Sequence, residues 1–246
     1  MPYTPLSHTQ HKHLHLKKGT YFFAKDKSFI PISTVEAPRA GLDLPLGFVR
    51  YEKGLSLMAV VSLDKEDNTQ ISLNGQWMGG YLPVMLRAHP LALVFQENKA
   101  VVAVDTDSDW LSETEGRPLF ELDGSQSEVL QNLVNLLKTR APNPNRDAPI
   151  LQAIEQSGVL VPWPQVSETL LRVDAQKLQE ITDEGFLQLR SHNALPVIYA
   201  QLMSQPRVNR LKNLAKRKQQ MAERQSQQGL EDLGIHFDDN DMIKFD

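Results

Sequence analysis

Between Thr20 and Val104 the hydrophobic residues come in short runs of four to nine, and turn-forming residues separate one run from the next. Runs of this length are typical of β-strands and are short for helices. Pro31 and Pro45 lie inside two of them, and because proline cannot donate to a strand ladder, those runs are expected at an edge or a bulge. This part therefore predicts an antiparallel sheet or a small barrel, with strands in Tyr21–Ala24, Phe29–Ile32, Leu44–Val49, Leu55–Leu63, Gln70–Leu73, Leu91–Phe95 and Ala100–Val104.

After Asp105 the pattern becomes helical. Ser125 and Glu128 have the spacing of a capping box, and leucines and valines follow them at helical intervals. A helix is predicted from about Ser127 to Arg140, where the prolines of the following Ala141–Asn145 stretch end it. Shorter helical patterns follow, so we expect an α+β fold in which a β-rich N-terminal half packs with a helical C-terminal half.

The chain is expected to divide into five segments. These are a polar, His-rich segment (1–19), a β-rich part (20–124), a mainly helical part (125–206), a basic helix (207–228) and a flexible acidic tail (229–246). The tail alternates acidic and apolar residues, a pattern typical of a disordered segment or of a short linear motif that folds on a partner.

Composition excludes several classes of protein. The chain has no cysteine, which excludes disulfide scaffolds, thiolate metal sites and cysteine nucleophiles. Its formal net charge of -4 gives no overall electrostatic footprint for nucleic acid. The N-terminus lacks the order of a secretory signal, and no run approaches the ~18 apolar residues of a spanning helix. A cytoplasmic location is expected, with export by a signal-independent route left open.

Four of the seven histidines lie near the N-terminus, at His8, His11, His13 and His15. The last three alternate, so an extended strand would place them on one face, where imidazoles suit zinc, copper or nickel. No carboxylate lies nearby in sequence to orient the rings. We therefore expect a solvated strand and no metal site.

The densest set of side chains able to recognise a ligand lies between Gly75 and Pro90, and it comprises Trp77, Tyr81, Arg87 and His89. Arg87 could bind a carboxylate or phosphate beside the stacking face of Trp77. The alternative is structural, with the aromatic residues in the core and Arg87 paired with an internal carboxylate. No catalytic or cofactor motif occurs in the chain, so neither catalytic residues nor a cofactor are predicted.

The C-terminal segments offer a second candidate interface. We hypothesise that Arg210, Lys216 and Arg217 of the basic helix, together with Phe237 and Phe245 of the tail, contact a partner. A nucleic-acid contact is disfavoured because no aromatic residues are interleaved with the basic ones and an acidic tail follows. The tail either binds another chain or folds back on the basic helix.

Several short motifs occur in a fixed order: Glu36-Ala-Pro-Arg-Ala40, Leu44-Pro-Leu-Gly-Phe48, Asn74-Gly-Gln-Trp77, Tyr81-Leu-Pro83 and Leu86-Arg-Ala-His-Pro90. In order and spacing they resemble the SapC family of bacterial proteins, and further matches at Gly116–Gly124, Gly158–Pro162 and Ala194–Tyr199 extend the resemblance over about residues 11 to 214. The chain departs from the family pattern at Leu44, Ala88 and His89, so its central block keeps Arg87 but loses part of the polar display.

The resemblance implies a link to bacterial surface layers or to envelope-associated operons, and it brings no catalytic residues. Our leading hypothesis is a non-enzymatic accessory protein that binds a protein or peptide. The alternative is an enzyme or small-molecule binder in an operon with redox or flavin-dependent halogenase chemistry, which would need Arg87 and His89 to converge in a pocket. A third possibility, a structural surface-layer component, would require export and ordered self-association.

Overall fold

The structure is a computed structural model, and it describes residues 3–52, 54–64, 67–96, 99–232, 235–237 and 243–245, with the side chains of those up to residue 225 except Gln96. Its strands are β1 (Tyr3–Pro5), β2 (His15–Leu16), β3 (Phe29–Pro31), β4 (Leu46–Tyr51), β5 (Gly54–Val60), β6 (Leu91–Gln96), β7 (Lys99–Asp105), β8 (Leu111–Ser112), β9 (Arg117–Pro118), β10 (Leu160–Pro162), β11 (Leu170–Val173), β12 (Ile235–Phe237) and β13 (Ile243–Phe245).

Its helices are α1 (His8–His11), α2 (Ala37–Ala40), α3 (Val84–Arg87), α4 (Glu128–Arg140), α5 (Pro144–Gln156), α6 (Ala175–Gln179), α7 (Asp183–Ser191), α8 (Leu195–Ser204) and α9 (Arg207–Asp232). The predicted α+β class is therefore confirmed. None of the helices among the described residues has both the length and the apolar content that a membrane span requires.

The strands form open antiparallel sheets, and the described residues contain no closed barrel. The largest sheet has the order β10-β11-β4-β5-β3, and a three-stranded sheet has the order β1-β7-β6. Two smaller pairings complete the set, β8-β2-β9 and β12-β13. Of the two architectures that the short runs predicted, the antiparallel sheet is the one that forms.

Both faces of the five-stranded sheet are covered, and β5 shows why. Leu57 and Ala59 belong to a core formed with the C-terminal helices, whereas Met58 and Val60 belong to a second core with Trp163 and the start of α9. Alternate residues of a strand point to opposite faces, so a continuous apolar run marks a strand buried on both sides. A third core lies between the three-stranded sheet and α4.

Three local predictions were wrong. Phe22–Ala24 is a turn of 3-10 helix, and the predicted strand at Gln70–Leu73 is reduced to a single bridge between Ile71 and Trp77. In the N-terminal segment, His8–His11 form a helical turn, so the histidines do not line one extended strand. The predicted α4 is present, but Ser127 caps it by accepting a hydrogen bond from the backbone N–H of Leu130.

Candidate functional site

The centre of the site is the fully buried carboxyl group of Glu36. Ser33 Oγ accepts from the backbone N–H of Glu36 at 3.2 Å, and Glu36 Oε2 accepts from the backbone N–H of Ser33 at 3.1 Å. This reciprocal pair is a capping box at the turn that leads into α2. The other oxygen, Oε1, accepts from the Tyr81 hydroxyl at 2.9 Å and from the Val84 N–H at 2.8 Å. One carboxyl group therefore ties α2 to the start of α3.

Burial sets the protonation of this pair. It raises the pKa of the Glu36 carboxyl above its ordinary value, while hydrogen bonds from Val84, Ser33 and Tyr81 and the charge of Arg87 oppose that rise. Burial also raises the pKa of the Tyr81 phenol, and the Glu36 carboxylate adds to the effect. Tyr81 is consequently a hydrogen-bond donor at neutral pH and cannot serve as a base.

Two arginines stand beside this pair at the surface. Arg87 lies in α3, whose first residue Val84 donates to Glu36, and the Arg140 carbonyl accepts from Ser33 Oγ at 2.6 Å. The charges of both arginines act on the Tyr81 hydroxyl in the direction that lowers its pKa. Both side chains are exposed, and within the described ranges neither forms an ion pair with a carboxylate. The exposed part of the site is therefore cationic and able to bind an anionic group.

Trp77 supports the turn that carries Tyr81. Its Nε1 donates to the Tyr81 carbonyl oxygen at 3.1 Å, and its ring meets the edge of Tyr21 with a centroid distance of 6.3 Å. The preceding turn needs Gly75, whose φ of 78° lies in the left-handed region. Half-buried and hydrogen-bonded, Trp77 fits the structural interpretation better than a stacking platform.

His89 is buried in an aromatic cluster with Phe23 and Trp110, and Tyr21 connects this cluster to Trp77. Its ring stacks on Phe23 at 3.7 Å, meets Trp110 edge-on at 5.2 Å and places Nε2 2.7 Å from Ser108 Oγ. Burial lowers the pKa of His89 to about 4, against the opposing charges of Asp105 and Asp109. The imidazole is neutral at physiological pH and acts as a core residue.

The structure thus brings Tyr81 and Arg87 together at Glu36, attaches Trp77 to Tyr81, and buries His89 in the aromatic cluster that Tyr21 connects to Trp77. The described residues form four surface cavities, and none of them is lined by any of the four predicted site residues, Trp77, Tyr81, Arg87 and His89. Sequence reasoning missed Glu36 and Arg140. A signal for Glu36 existed, because Ser33 and Glu36 have the capping-box spacing, whereas nothing in the sequence connects Arg140 to Tyr81.

The model of the SapC family matches residues 6–211. The chain belongs to the SapC family. Comparison with the curated proteins and with the solved structures finds no match. In this SapC-family protein the matched region contains Glu36, Tyr81, Arg87 and Arg140, whereas most of α9 follows it.

The long helix α9 of the SapC-family protein is held to the body by its first half. Val208 and Leu211 are buried, Arg210 pairs with Asp43, and Lys218 Nζ lies 2.6 Å from Asp67 Oδ2. Lys216 and Arg217, in contrast, are exposed. Phe237 and Phe245, the other two predicted contact residues, belong to the β12–β13 pair, and their side chains lie outside the described part of the protein. The tail was also predicted to be mobile, and its residues 233–234, 238–242 and 246 lie outside the described residues.

The histidine-rich start of this SapC-family protein is part of the folded body. His11 is buried, with Nδ1 3.1 Å from the Ser7 backbone nitrogen and carbonyl oxygen, and His15 lies in β2 between β8 and β9. Among the residues that the structure describes, no three histidine or acidic side chains are grouped to hold a metal ion.

Proposed function

We propose that this SapC-family protein is a non-enzymatic accessory protein of the bacterial cytoplasm that binds a protein or peptide partner through the exposed face of α9. The main support for this proposal is that some cations of α9 are paired with acidic residues of the body and others are not. Arg210 and Lys218 are paired with acidic residues of the body, but the exposed face, which we call the basic face, has no ion-pair partner among the described residues. It comprises Lys212, Lys216, Arg217 and Arg224.

The spacing of these residues supports a contact surface. Lys212 and Lys216 are four positions apart and Arg217 and Arg224 are seven apart, so each pair lies on one side of the helix, and Arg217 and Arg224 lie opposite the buried Val208 and Leu211. Like charges four positions apart, as in the Lys212–Lys216 pair, destabilise a helix by about 0.2–0.5 kcal/mol. An acidic partner relieves that repulsion and gains long-range attraction in the same step.

The alternative function, an enzyme or small-molecule binder, receives less support from the geometry. It needs Trp77, Tyr81, Arg87 and His89 around one cavity. The Tyr81 hydroxyl is instead hydrogen-bonded to Glu36, and the His89 imidazole is hydrogen-bonded to Ser108. A partner from a surface-layer or outer-membrane receptor system, as the family resemblance implies, is part of our proposal.

The test is an affinity pull-down from native lysate with three full-length proteins. These are the wild type, the charge reversal Lys216→Glu/Arg217→Glu, and the control Lys25→Glu/Lys27→Glu, which makes the same charge change at exposed positions of the body. We expect one partner to be captured by wild type and control, to be lost from the reversal variant and to be released as salt rises. Truncation after Gln228 then shows whether the tail contributes.

Equal capture by the reversal variant would rule out the basic face as the contact. A protein that captures nothing in any form would contradict the proposed function itself. Circular dichroism of each variant shows that α9 is intact.

A further inference from the structure

Strand β6 is an open edge of the three-stranded sheet, because β7 pairs with it on one side and no described strand pairs on the other. The Asp105 N–H donates to the Pro90 carbonyl at 2.9 Å, which fixes the alternation of the ladder. Ala92 and Val94 consequently bond to β7. The N–H and C=O groups of Leu93 and Phe95 point away from it, and no described residue bonds to them. These groups are a template for a further strand.

A cavity of about 270 Å³ follows this edge, and we call it the edge groove. The cavity is lined by residues of β6, of the end of α4, of the loop after it and of the start of α5, together with Met85 of α3 and Tyr3 of β1. Apart from the Tyr3 hydroxyl the lining side chains are apolar, and they include Met85, Leu91, Leu93, Phe95, Leu137 and Pro142. An extended segment added to β6 would send every second side chain into the groove.

The charge at one end of the groove indicates which segment fits. Arg87 lies on the same short helix as Met85, and Arg140 directly precedes Ala141, another lining residue. The Leu91 N–H donates to the Ala88 carbonyl at 2.8 Å, which puts Arg87 at the Leu91 end of β6. The Arg140 carbonyl accepts from Ser33 Oγ at 2.6 Å, and Ser33 and Val84 at the start of α3 both donate a backbone N–H to the Glu36 carboxyl group, so Arg140 lies at the same end. If a segment pairs antiparallel to β6, as all the other strands here pair, its C-terminal end reaches these two cations.

We propose that the edge groove binds an extended segment of a partner protein as an added antiparallel strand. The segment carries apolar side chains at alternate positions and a carboxylate, from an acidic residue or a C-terminus, at the end that meets Arg87 and Arg140. Backbone hydrogen bonds to Leu93 and Phe95 give affinity, and the apolar lining and the two cations give specificity. This surface is separate from the basic face of α9 and does not depend on it.

The test uses a displayed library of random heptapeptides with free C-termini, selected on the full-length protein. We expect enriched sequences to alternate apolar residues and to end in, or next to, an acidic residue. The double variant Arg87→Glu/Arg140→Glu is expected to enrich basic residues at that position instead. A parallel selection uses the variant Phe95→Pro, and if no sequence is enriched more strongly on the wild type than on this variant, the proposal is wrong. That variant removes an outward N–H of the edge and leaves the β6–β7 ladder bonds in place.

A second measurement needs no protein variant. An enriched peptide is synthesised with N-methyl groups on the alternate residues whose N–H groups would face β6, and a matched peptide carries them on the other alternate residues. Methylation of the N–H groups that face β6 removes two hydrogen bonds, so that peptide is expected to bind at least about tenfold more weakly than the unmethylated one. The matched peptide is expected to keep its affinity. Equal affinities would overturn strand addition.

The source of the carboxylate follows from two further peptides, one with an amidated C-terminus and one with its acidic residue replaced by the amide. Weaker binding in one of them identifies the source, and unchanged binding in both would overturn the role of the arginines. Lys216→Glu/Arg217→Glu is expected to bind the selected peptide like the wild type. Failure of the edge groove is thus distinguished from failure of the basic face.

Discussion

Glu36 is the residue on which the candidate site depends most. Its two carboxyl oxygens accept hydrogen bonds from Ser33, Tyr81 and Val84, and no donor is needed on the Glu36 side chain. Glu36→Gln would place an NH2 group against one of these donors. We expect a loss of about 1–3 kcal/mol in the free energy of unfolding, measured by urea denaturation, because a buried donor is left unsatisfied.

Tyr81→Phe is the matched comparison for this prediction. It removes one donor and leaves the backbone N–H groups of Ser33 and Val84 on the carboxyl group, so a smaller loss of about 1 kcal/mol is expected. An unchanged denaturation midpoint for Glu36→Gln would contradict the central role of the carboxyl group.

His89 gives the protein a pH dependence with a definite sign. Its pKa falls from 6.5 to about 4 on folding, so between these values the unfolded chain binds a proton that the folded protein does not. Stability is therefore full above pH 6.5 and is lost as the pH falls towards 4, with a slope of at most about 1.4 kcal/mol per pH unit.

In His89→Phe, which keeps an aromatic ring against Phe23, this part of the slope is expected to disappear. Urea denaturation at several pH values measures it, and His13→Gln, at an exposed position, is the control that should keep the slope. Identical slopes in wild type and His89→Phe would show that His89 is not the titrating group.

Glu36 and His89 show how much of the candidate site could be predicted from the sequence. Tyr81 and Arg87 were found because their side-chain chemistry is visible in one short stretch. The partners Glu36 and Arg140 lie 45 and 59 positions from Tyr81, and packing of α2, α3 and α4 brings them together. His89 is close to these residues in sequence, but its ring packs on Phe23 and Trp110 and its Nε2 atom lies beside Ser108 Oγ, not beside Glu36.

At the scale of elements, periodicity predicted those whose pattern and local end signals agree. β4 to β7 overlap predicted runs, with ends that agree to within three residues, and α4 ends before its prolines as expected. The strand prediction at Tyr21–Ala24 was wrong because Tyr21 and Phe23 pack on Trp110 and His89, and this packing outweighs the local preference for a strand. β1, β2 and β9 are two or three residues long and exist because of their neighbours, so no local pattern marks them.

For α9 the question is whether its apolar seam or its ion pairs hold it to the body. Leu211 is almost fully buried in the core with Trp163 and Leu170, whereas Asp67 of the Lys218 pair is 38% exposed. Leu211→Ala is expected to cost about 2–5 kcal/mol. Lys218→Met is expected to cost about 1 kcal/mol or less, because the remaining carboxylate reaches water. Urea denaturation of both variants measures the difference, and a larger loss for Lys218→Met would assign docking to the charges.

The whole molecule is expected to unfold in one step, because its two halves share the five-stranded sheet. β11, from the mainly helical part, pairs with β4 through Leu170 opposite Val49 and Leu171 opposite Phe48. Separating the halves would expose an edge of β4 and open two cores at once, so neither half has an independent hydrophobic core on this side of the sheet.

Tryptophan fluorescence can test this cooperativity, since Trp110 lies in the β-rich part and Trp163 in the mainly helical part. Two variants each keep one of them, Trp77→Phe/Trp163→Phe and Trp77→Phe/Trp110→Phe. Within each variant, the urea midpoint from fluorescence should equal the midpoint from far-UV circular dichroism, because either probe then reports the same all-or-none transition. If Trp163 reported an earlier midpoint than the circular dichroism of the same variant, the helical part would unfold separately, and the β11–β4 pairing would be too weak to couple the halves.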